Sequence, residues 1–142
     1  MIVGRFPFAP LSKYPHMKPE DVAVWNRFVA ANSGLFDTVD YDVPVGTGAD
    51  VDPEHPDAIQ YDAKILTRKK VDVVAYKGNA VFVIEVKPVA NARGLGQILT
   101  YLPLWLADHP GELDVRGMVV AGEMEREMAA VYAGHQIIVH IA

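Results

Sequence analysis

Apolar and polar residues change their spacing along this chain, and each change marks the boundary of a predicted element. Apolar side chains recur at helical spacing in residues 19–31, where Pro19 suits the first turn of a helix. Residues 36–45 alternate apolar and polar side chains, whereas residues 70–76 and 80–87 are almost continuously apolar. Strands of the second kind are buried on both faces, so we expect these two to lie at the centre of a sheet.

The predicted order of elements is α-β-β-β-α-β-α-β, which indicates an α/β fold with a central mixed β-sheet flanked by helices. In chain order the elements are a helix from Pro19 to about residues 32–34, strands over 36–45, 70–76 and 80–87, a helix over 94–107, a strand over 115–121, a helix over 123–133 and a strand over 136–141. Residues 46–57 form an acidic loop rich in glycine and proline. Residues 58–68 are ambiguous, and one interpretation is a strand that leads into the central pair.

Prolines and one glycine are expected to end or bend some of these elements. Pro88 should stop the second central strand. Pro103 should kink the helix that contains it or shift the start of that helix. Gly134 should close the last helix.

The length of 142 residues suits one domain that spans residues 1–142. Residues 1–18 are predicted to be an extended arm, because prolines and aromatic residues dominate them, and the aromatic side chains should pack on the body or on a partner. The absence of cysteine excludes disulfides and cysteine-ligated zinc. No apolar run reaches the length of a membrane span, and the N-terminus lacks the plan of a signal peptide. We therefore expect a soluble protein without a membrane partner, cytoplasmic or, if viral, acting in the host cytoplasm.

The charge of the chain is unevenly distributed. The net charge is −5, which argues against a nucleic-acid partner. Residues 64–93, however, contain seven basic and two acidic side chains, so this segment is +5 and the remainder is −10. Local basic clusters recognise phosphate backbones more directly than total charge does. The alternative is a solvated basic surface without a ligand.

Three ionisable residues, Asp72, Glu85 and Lys87, interrupt the two central strands. Burying an unpaired carboxylate costs several kcal/mol, so such residues need a partner ion or a metal. Strand side chains alternate in direction, and Glu85 and Lys87 therefore share one face of the sheet. These three residues indicate a site.

The turn between the two strands fixes which of these residues face each other. Residues 78–79 are Gly-Asn, and both residue types tolerate the positive φ of a two-residue hairpin loop. With this loop Lys77 faces Ala80, and counting back along both strands places Asp72 opposite Glu85. Side chains that face each other directly have Cβ atoms about 4.5–5.5 Å apart. The register thus predicts that the two carboxylates meet.

Two facing carboxylates repel each other unless a positive charge lies between them. A divalent cation with oxygen ligands satisfies this need, and Mg²⁺ typically takes one or two carboxylates together with waters and phosphate oxygens. The alternative is a structural ion pair, in which Lys87 or Lys70 neutralises Glu85 or Asp72 at the end of the sheet.

The order of these residues resembles the core of the PD-(D/E)XK nuclease superfamily, which carries an Asp on one strand, Glu-x-Lys at the end of the next, and then a helix. A Q-x-x-x-Y motif on that helix resembles the RecB-like branch, and the resemblance spans most of residues 19–142. Val71 stands where the superfamily's name has a proline. The matching residues are Asp72, Glu85, Val86, Lys87, Gln97 and Tyr101.

The resemblance implies a restriction-endonuclease-like core and Mg²⁺-dependent hydrolysis of DNA phosphodiester bonds by metal-activated water. It implies that Asp72, Glu85 and the backbone carbonyl of Val86 hold Mg²⁺ or Mn²⁺. Lys87 would orient or activate the attacking water and offset charge on the phosphorane.

Substrate contacts are expected from the helix and from basic residues near the hairpin. Gln97 and Tyr101 are four residues apart and so share a helix face, and the resemblance implies that they position the substrate backbone. Tyr101 could equally belong to the core. Arg93 could bind phosphate with help from the Gly94 backbone at the helix N-terminus, and Lys70 is a further candidate for substrate binding. Arg93 could equally be an exposed charge.

Two weaker metal sites remain open. Some relatives add an acidic ligand from the first helix, which makes Glu20, with Asp21 beside it, a weak candidate, although an interaction with the helix dipole explains Glu20 as well. The acidic loop could bind a second cation, but a solvated loop is the simpler interpretation. Its titratable residues are Asp50, Asp52, Glu54, His55 and Asp57. The five histidines show no spacing typical of a metal site.

Two alternatives to catalysis stay open. The chain could be a catalytically inactive subunit of the same fold that binds DNA or a protein partner, or a protein in which the charged residues form only an ion pair. The acidic composition and the short chain favour a homodimer or a larger DNA-processing assembly.

Overall fold

The computed structural model describes residues 4–48, 54, 57 and 67–142. These residues form a mixed six-stranded β-sheet flanked by three helices. The elements are β1 (Phe6–Pro7), α1 (Pro19–Ala31), β2 (Thr38–Val45), β3 (Lys69–Lys77), β4 (Ala80–Ala90), α2 (Ala92–Asp108), β5 (Asp114–Met124), α3 (Met128–Gly134) and β6 (Ile138–Ile141). The predicted α/β class is confirmed, while residues 58–66 and most of the acidic loop lie outside the described residues.

The strands lie side by side in the order of the chain, from β1 to β6. β1 to β4 run antiparallel to their neighbours, whereas β4, β5 and β6 are parallel. β3 and β4 therefore occupy the middle of the sheet, as their apolar sequences predict.

Each face of the sheet is covered by its own hydrophobic layer. α1 buries Trp25 and Phe28 against one face, and α2 buries Ile98 and Trp105 against the other. Burying a large apolar side chain contributes about 1.5–3 kcal/mol. The central strands are therefore packed on both faces.

The N-terminal arm packs its aromatic side chains onto the α1 face. The ring of Phe8 contacts Trp25, Phe28 and Phe36 edge-on, with centroid distances of 5.2–6.0 Å. The arm also contributes β1, which pairs with β2. The predicted packing of the arm on the body is confirmed, and its short strand is an addition to the prediction.

The hairpin register predicted from residues 78–79 is confirmed. Lys77 pairs with Ala80, and the pairing continues in step to Val73 and Ile84. Gly78 has a φ of 56°, a left-handed conformation that glycine adopts without strain.

The prediction that Pro88 ends β4 is wrong, because the strand continues to Ala90. Beyond Ile84, β4 no longer pairs with β3, and it keeps only its parallel partner β5. The Val86 amide points toward β3, and amides two residues apart in a strand point to the same side. The missing N–H of Pro88 therefore falls on the open side of β4, where no ladder bond is lost.

The prediction of a helix over 123–133 is also wrong at its start. β5 extends to Met124, because Glu123 and Met124 still pair with the end of β4. α3 begins only at Met128 and ends at Gly134. The ladder to β4 here overrides the helical pattern of the sequence. In α2, Pro103 lies inside a helix that begins at Ala92, so the proline does not move the helix start later.

Side chains of β2 change from one face of the sheet to the other at Asp42. Val39 and Tyr41 pack on the α1 side, whereas Val45 packs on the α2 side. Residues an even number apart share a face in a regular strand. The regular alternation of side chains between the two faces is therefore interrupted between Tyr41 and Val45. Asp42 has a φ of 53°, which aspartate tolerates better than most residues.

β3 makes the matching change at Asp72, with Val73 on the α1 side and Val71 on the α2 side. Pairing to β2 keeps the same register above and below this point, so no residue is inserted. Asp42 and Asp72 consequently face each other where both strands rotate.

None of the helices in the described part of the chain combines the length and apolar character that a bilayer crossing requires.

Candidate active site

Asp72 and Glu85 lie where β3 and β4 stop pairing. Their side chains replace the backbone ladder: the Asp72 amide donates to Glu85 Oε1 at 3.3 Å, and the Val86 amide donates to Asp72 Oδ2 at 3.0 Å. The predicted meeting of the two carboxylates is therefore present. Each carboxylate is fixed by the backbone of the opposite strand, which orients both without a flexible side-chain partner.

Lys87 brings a positive charge to this pair. Its Nζ lies 3.9 Å from Glu85 Oε2, and Glu85 is only 2% exposed while the Lys87 side chain is 21% exposed. The ammonium group thus lies between a buried carboxylate and the solvent, where a polar ligand can reach it.

The two carboxylates are short of positive charge. Burial raises the pKa of Glu85 to about 9, with the negative charge of Asp72 as the next cause and Lys87 as a partial offset. Burial also raises the pKa of Asp72, while the hydrogen bond from Val86 opposes the shift. Carboxylates this close hold one proton between them at neutral pH unless a cation replaces it.

Tyr101 of α2 lies near the same carboxylates, and Gln97 forms a hydrogen bond with Tyr101. Burial raises the pKa of Tyr101, and the negative charge of Glu85 adds to this shift, whereas the Gln97 amide lowers it. Gln97 Oε1 is buried and has no hydrogen-bond partner among the described residues. The structure therefore brings the two predicted helix residues together beside the carboxylates and leaves a buried acceptor there without a donor.

A cleft of about 330 Å³ opens along this face of α2. Its lining residues are Lys69, Arg93, Gly96, Gln97, Thr100 and Tyr101. Gln97, Tyr101 and Arg93 thus line one cleft. Lys70 is exposed at the start of β3 and does not line it, since Lys69 occupies that place. Sequence periodicity could not distinguish these lysines, because the face change at Asp72 reverses the alternation of β3.

The N-terminus of α2 is closely packed beside Lys87. Asn91 caps it by accepting a hydrogen bond from the Gly94 amide at 3.2 Å, so this amide already has an acceptor. A Cβ at Gly94 would lie 3.0 Å from Tyr132 Oη and 3.7 Å from Lys87 Cγ. Glycine at this position allows the helix to approach the site, and it is not a free phosphate contact.

Asp21, and not Glu20, is the acidic residue of α1 whose pKa is affected by the charges of the site. Asp21 is partly buried; burial raises its pKa, with Asp72 as the next cause and Lys87 as an opposing charge. Glu20 is exposed on the first turn of the helix. The two residues are adjacent in the sequence, and only the orientation of the helix in the structure distinguishes them.

Asp42 is a residue that the sequence analysis missed. It faces Asp72 from β2, and its negative charge contributes to the raised pKa of Asp72. Carboxylates from three adjacent strands therefore form a row across the sheet. In the sequence Asp42 resembles the solvent-facing residue of an alternating strand, and only the strand pairing reveals its place.

The basic segment 64–93 does not gather wholly around the site. Arg93 and Lys69 line the α2 cleft. Arg68 instead pairs with Asp108 at 3.5 Å. Lys77 is the last residue of β3, beside the hairpin turn and five residues along the strand from Asp72. Lys64 lies outside the described residues. The cations available to a ligand at the carboxylates are thus fewer than the charge count suggests.

The donor set fits a hydrated divalent cation. In the part of the chain that the structure describes, no three His, Asp or Glu side chains are grouped to hold a metal ion. The oxygen atoms that could bind a metal ion are those of the two carboxylates, Asp72 and Glu85, and the backbone carbonyl of Val86, which lies between Glu85 and Lys87. Such a set of hard oxygen ligands, completed by water, suits Mg²⁺, and the orphaned Gln97 oxygen could accept a hydrogen bond from a water in this site.

No protein-family model, curated protein or solved structure compared with this chain matches it.

Proposed function

We propose that this protein is a Mg²⁺-dependent nuclease with a restriction-endonuclease-like core of the PD-(D/E)XK type, and that it hydrolyses DNA phosphodiester bonds. The observation that carries the proposal is the meeting of Asp72 and Glu85 at the diverging ends of β3 and β4, with Lys87 beside them. Burial of Glu85 costs free energy, so its presence favours a functional explanation.

The residues have separate roles in this proposal. Asp72, Glu85 and the Val86 carbonyl would hold Mg²⁺ or Mn²⁺, which when bound supplies a water of lowered pKa and charge compensation for the leaving oxygen. Lys87 orients the attacking water or donates a hydrogen bond to the phosphate oxygens as negative charge develops. Its position next to a buried carboxylate keeps the ammonium group directed toward the reacting phosphate.

Residues of α2 would hold the substrate. Arg93 and Lys69 bring positive charge to the α2 cleft, where a phosphate backbone binds favourably. Gln97 and Tyr101 connect this cleft to the carboxylates. A nucleic-acid strand in the cleft would therefore place one of its phosphates near Lys87.

A nuclease assay with matched variants tests the proposal. Wild-type protein should cleave DNA with Mg²⁺ or Mn²⁺ and not with EDTA. Glu85→Gln and Lys87→Met should each lower the rate by at least about 100-fold, the scale of removing one transition-state contact. Glu123→Gln and Lys77→Met make the same chemical changes on exposed side chains away from the carboxylate pair and should leave the rate unchanged. Cleavage that survives both active-site substitutions would refute the assignment.

A catalytically inactive subunit of the same fold is the second candidate. It is favoured by the ion pair between Lys87 and Glu85, which already gives the buried carboxylate a partner. In that case the wild type binds DNA with the same affinity as Glu85→Gln and cleaves none. If the protein neither binds nor cleaves DNA, the charged residues are a structural ion pair.

A further inference from the structure

The N-terminal arm encloses a pocket that the proposed reaction does not use. The pocket has a volume of about 500 Å³ and is lined by Phe6, Lys13, Tyr14, Pro15 and His16. Sites for small organic ligands commonly fall in this range of volume. It shares no lining residue with the α2 cleft, so the two are separate binding surfaces.

The aromatic walls of this arm pocket are held in place before any ligand binds. The Tyr14 hydroxyl donates to Asn26 Oδ1 at 2.6 Å and accepts from the Leu11 amide at 3.0 Å. The rings of Tyr14 and Phe6 both pack edge-on against Tyr41 of β2, at 5.2 and 5.3 Å. Tyr14 is itself buried and supports the pocket from below, so the aromatic surface that a ligand meets is chiefly the partly exposed ring of Phe6, which needs little ordering.

Two cationic or ionisable side chains line the same pocket. Lys13 and His16 are both exposed. Lys13 supplies a positive charge, and His16 can donate a hydrogen bond from its ring. Aromatic surface beside positive charge is typical of sites for single nucleic-acid strands, because bases stack on rings and phosphates are attracted to cations.

The arm pocket lies close to the candidate active site. His16 Nε2 is 3.7 Å from Asp42 Oδ2, and Asp42 faces Asp72 on the next strand. Since adjacent strands are about 5 Å apart, the pocket opens within about 10–15 Å of the carboxylate pair. His16 and Asp42, which touch each other, also have positive φ values of 50° and 53°. Such strained conformations cluster at functional sites.

We infer that the arm pocket binds an unpaired base of the nucleic-acid strand whose phosphate lies at the carboxylate pair. The inference rests on the proposed nuclease function and specifies its substrate class as single-stranded or locally unpaired nucleic acid. A base can enter such a pocket only after leaving the stack of a duplex. Blunt duplex DNA is then a poor ligand for this part of the protein.

Binding measurements without cleavage test the inference. We expect fluorescence anisotropy in EDTA to show that wild-type protein binds a labelled single-stranded oligonucleotide more tightly than a blunt duplex of the same length. The double variant Lys13→Ala/His16→Ala should bind the single strand at least about fivefold more weakly. Its plot of log affinity against log salt should be shallower by about 0.7, the slope of one lost phosphate contact on a single strand. Lys77→Ala, at the hairpin end of the sheet, should match the wild type.

Photocrosslinking locates the bound base. An oligonucleotide carrying 5-iodouracil should crosslink to Phe6, Tyr14 or His16. Unchanged single-strand binding by the double variant, preference for the duplex, or crosslinks confined to α2 would each overturn the inference. If the protein binds single strands through the arm pocket but never cleaves them, the pocket stands and the nuclease proposal fails. If it cleaves and the double variant binds normally, only the pocket inference fails.

Discussion

Replacing Glu85 by glutamine should make the metal-free protein more stable. The change removes a buried carboxyl group that must take up a proton when the protein folds at neutral pH, but it keeps an oxygen that can accept the hydrogen bond from the Asp72 amide. Lys87 loses its ion pair, yet its side chain reaches solvent. The substitution therefore removes an electrostatic cost without creating a comparable new one.

The size of this effect follows from the raised pKa of Glu85. The value is about 9 in the folded protein and 4.5 in the ordinary state, and one pKa unit corresponds to about 1.4 kcal/mol. The folded state binds the proton more tightly, so this contribution to stability is fully present below pH 4.5 and is lost as the pH rises toward 9. At pH 7 the loss amounts to about 3 kcal/mol, which corresponds to roughly 10 °C in Tm for a chain of this size.

Urea unfolding in EDTA between pH 5 and pH 9 measures this difference. Glu85→Gln should exceed the wild type by an amount that grows with pH, while Glu123→Gln, an exposed carboxylate, should stay within about 0.5 kcal/mol of the wild type. A wild type as stable as Glu85→Gln at pH 8, or a gap that does not change with pH, would show that burial does not raise the pKa of Glu85 in the folded protein.

Metal binding, backbone strain at Asp42 and core packing at Gly117 should each give a measurable change in stability. Mg²⁺ should raise the stability of the wild type by about 3 kcal/mol at a hundred times its dissociation constant and leave Asp72→Asn unchanged, as measured by thermal unfolding; equal shifts would place the ion elsewhere. Asp42→Gly should cost less than about 1 kcal/mol in urea unfolding and Asp42→Val about 2 or more, because a β-branched residue resists a φ of 53°; equal costs would remove the argument from strain. Gly117→Ala should lower stability by about 1–3 kcal/mol, since the new Cβ would lie 2.6 Å from Ile98 Cγ2, whereas Gly111→Ala meets open space and should have little effect in the same assay.

The hairpin is the part of the fold that the sequence predicts best. Residues 78–79 dictate a tight turn through local chemistry alone, and the register that follows from it brings Asp72 to Glu85. The apolar runs also place β3 and β4 in the centre correctly. These features depend on neighbouring residues, which a single sequence displays directly.

The predictions are wrong where pairing between residues that are distant in the sequence determines the structure. Pro88 is tolerated because β4 has lost its β3 partner at that point, and Glu123 is held in β5 by the end of β4. The face change at Asp42 and the place of Lys69 in the cleft depend on how β2 and β3 twist together. None of these contacts has a signature in the local pattern of apolar and polar residues.

The exchange of hydrogen bonds between the two carboxylates and the opposite strands has a practical consequence for spectroscopy. The amides of Asp72 and Val86 donate to the side chains that are proposed to bind the metal, so their protons sense the charge state of those oxygens directly. In a ¹⁵N-labelled sample these two resonances would act as internal reporters, without a probe attached to the site. A change of occupancy at the carboxylates would then be readable from two backbone signals in the middle of the sheet.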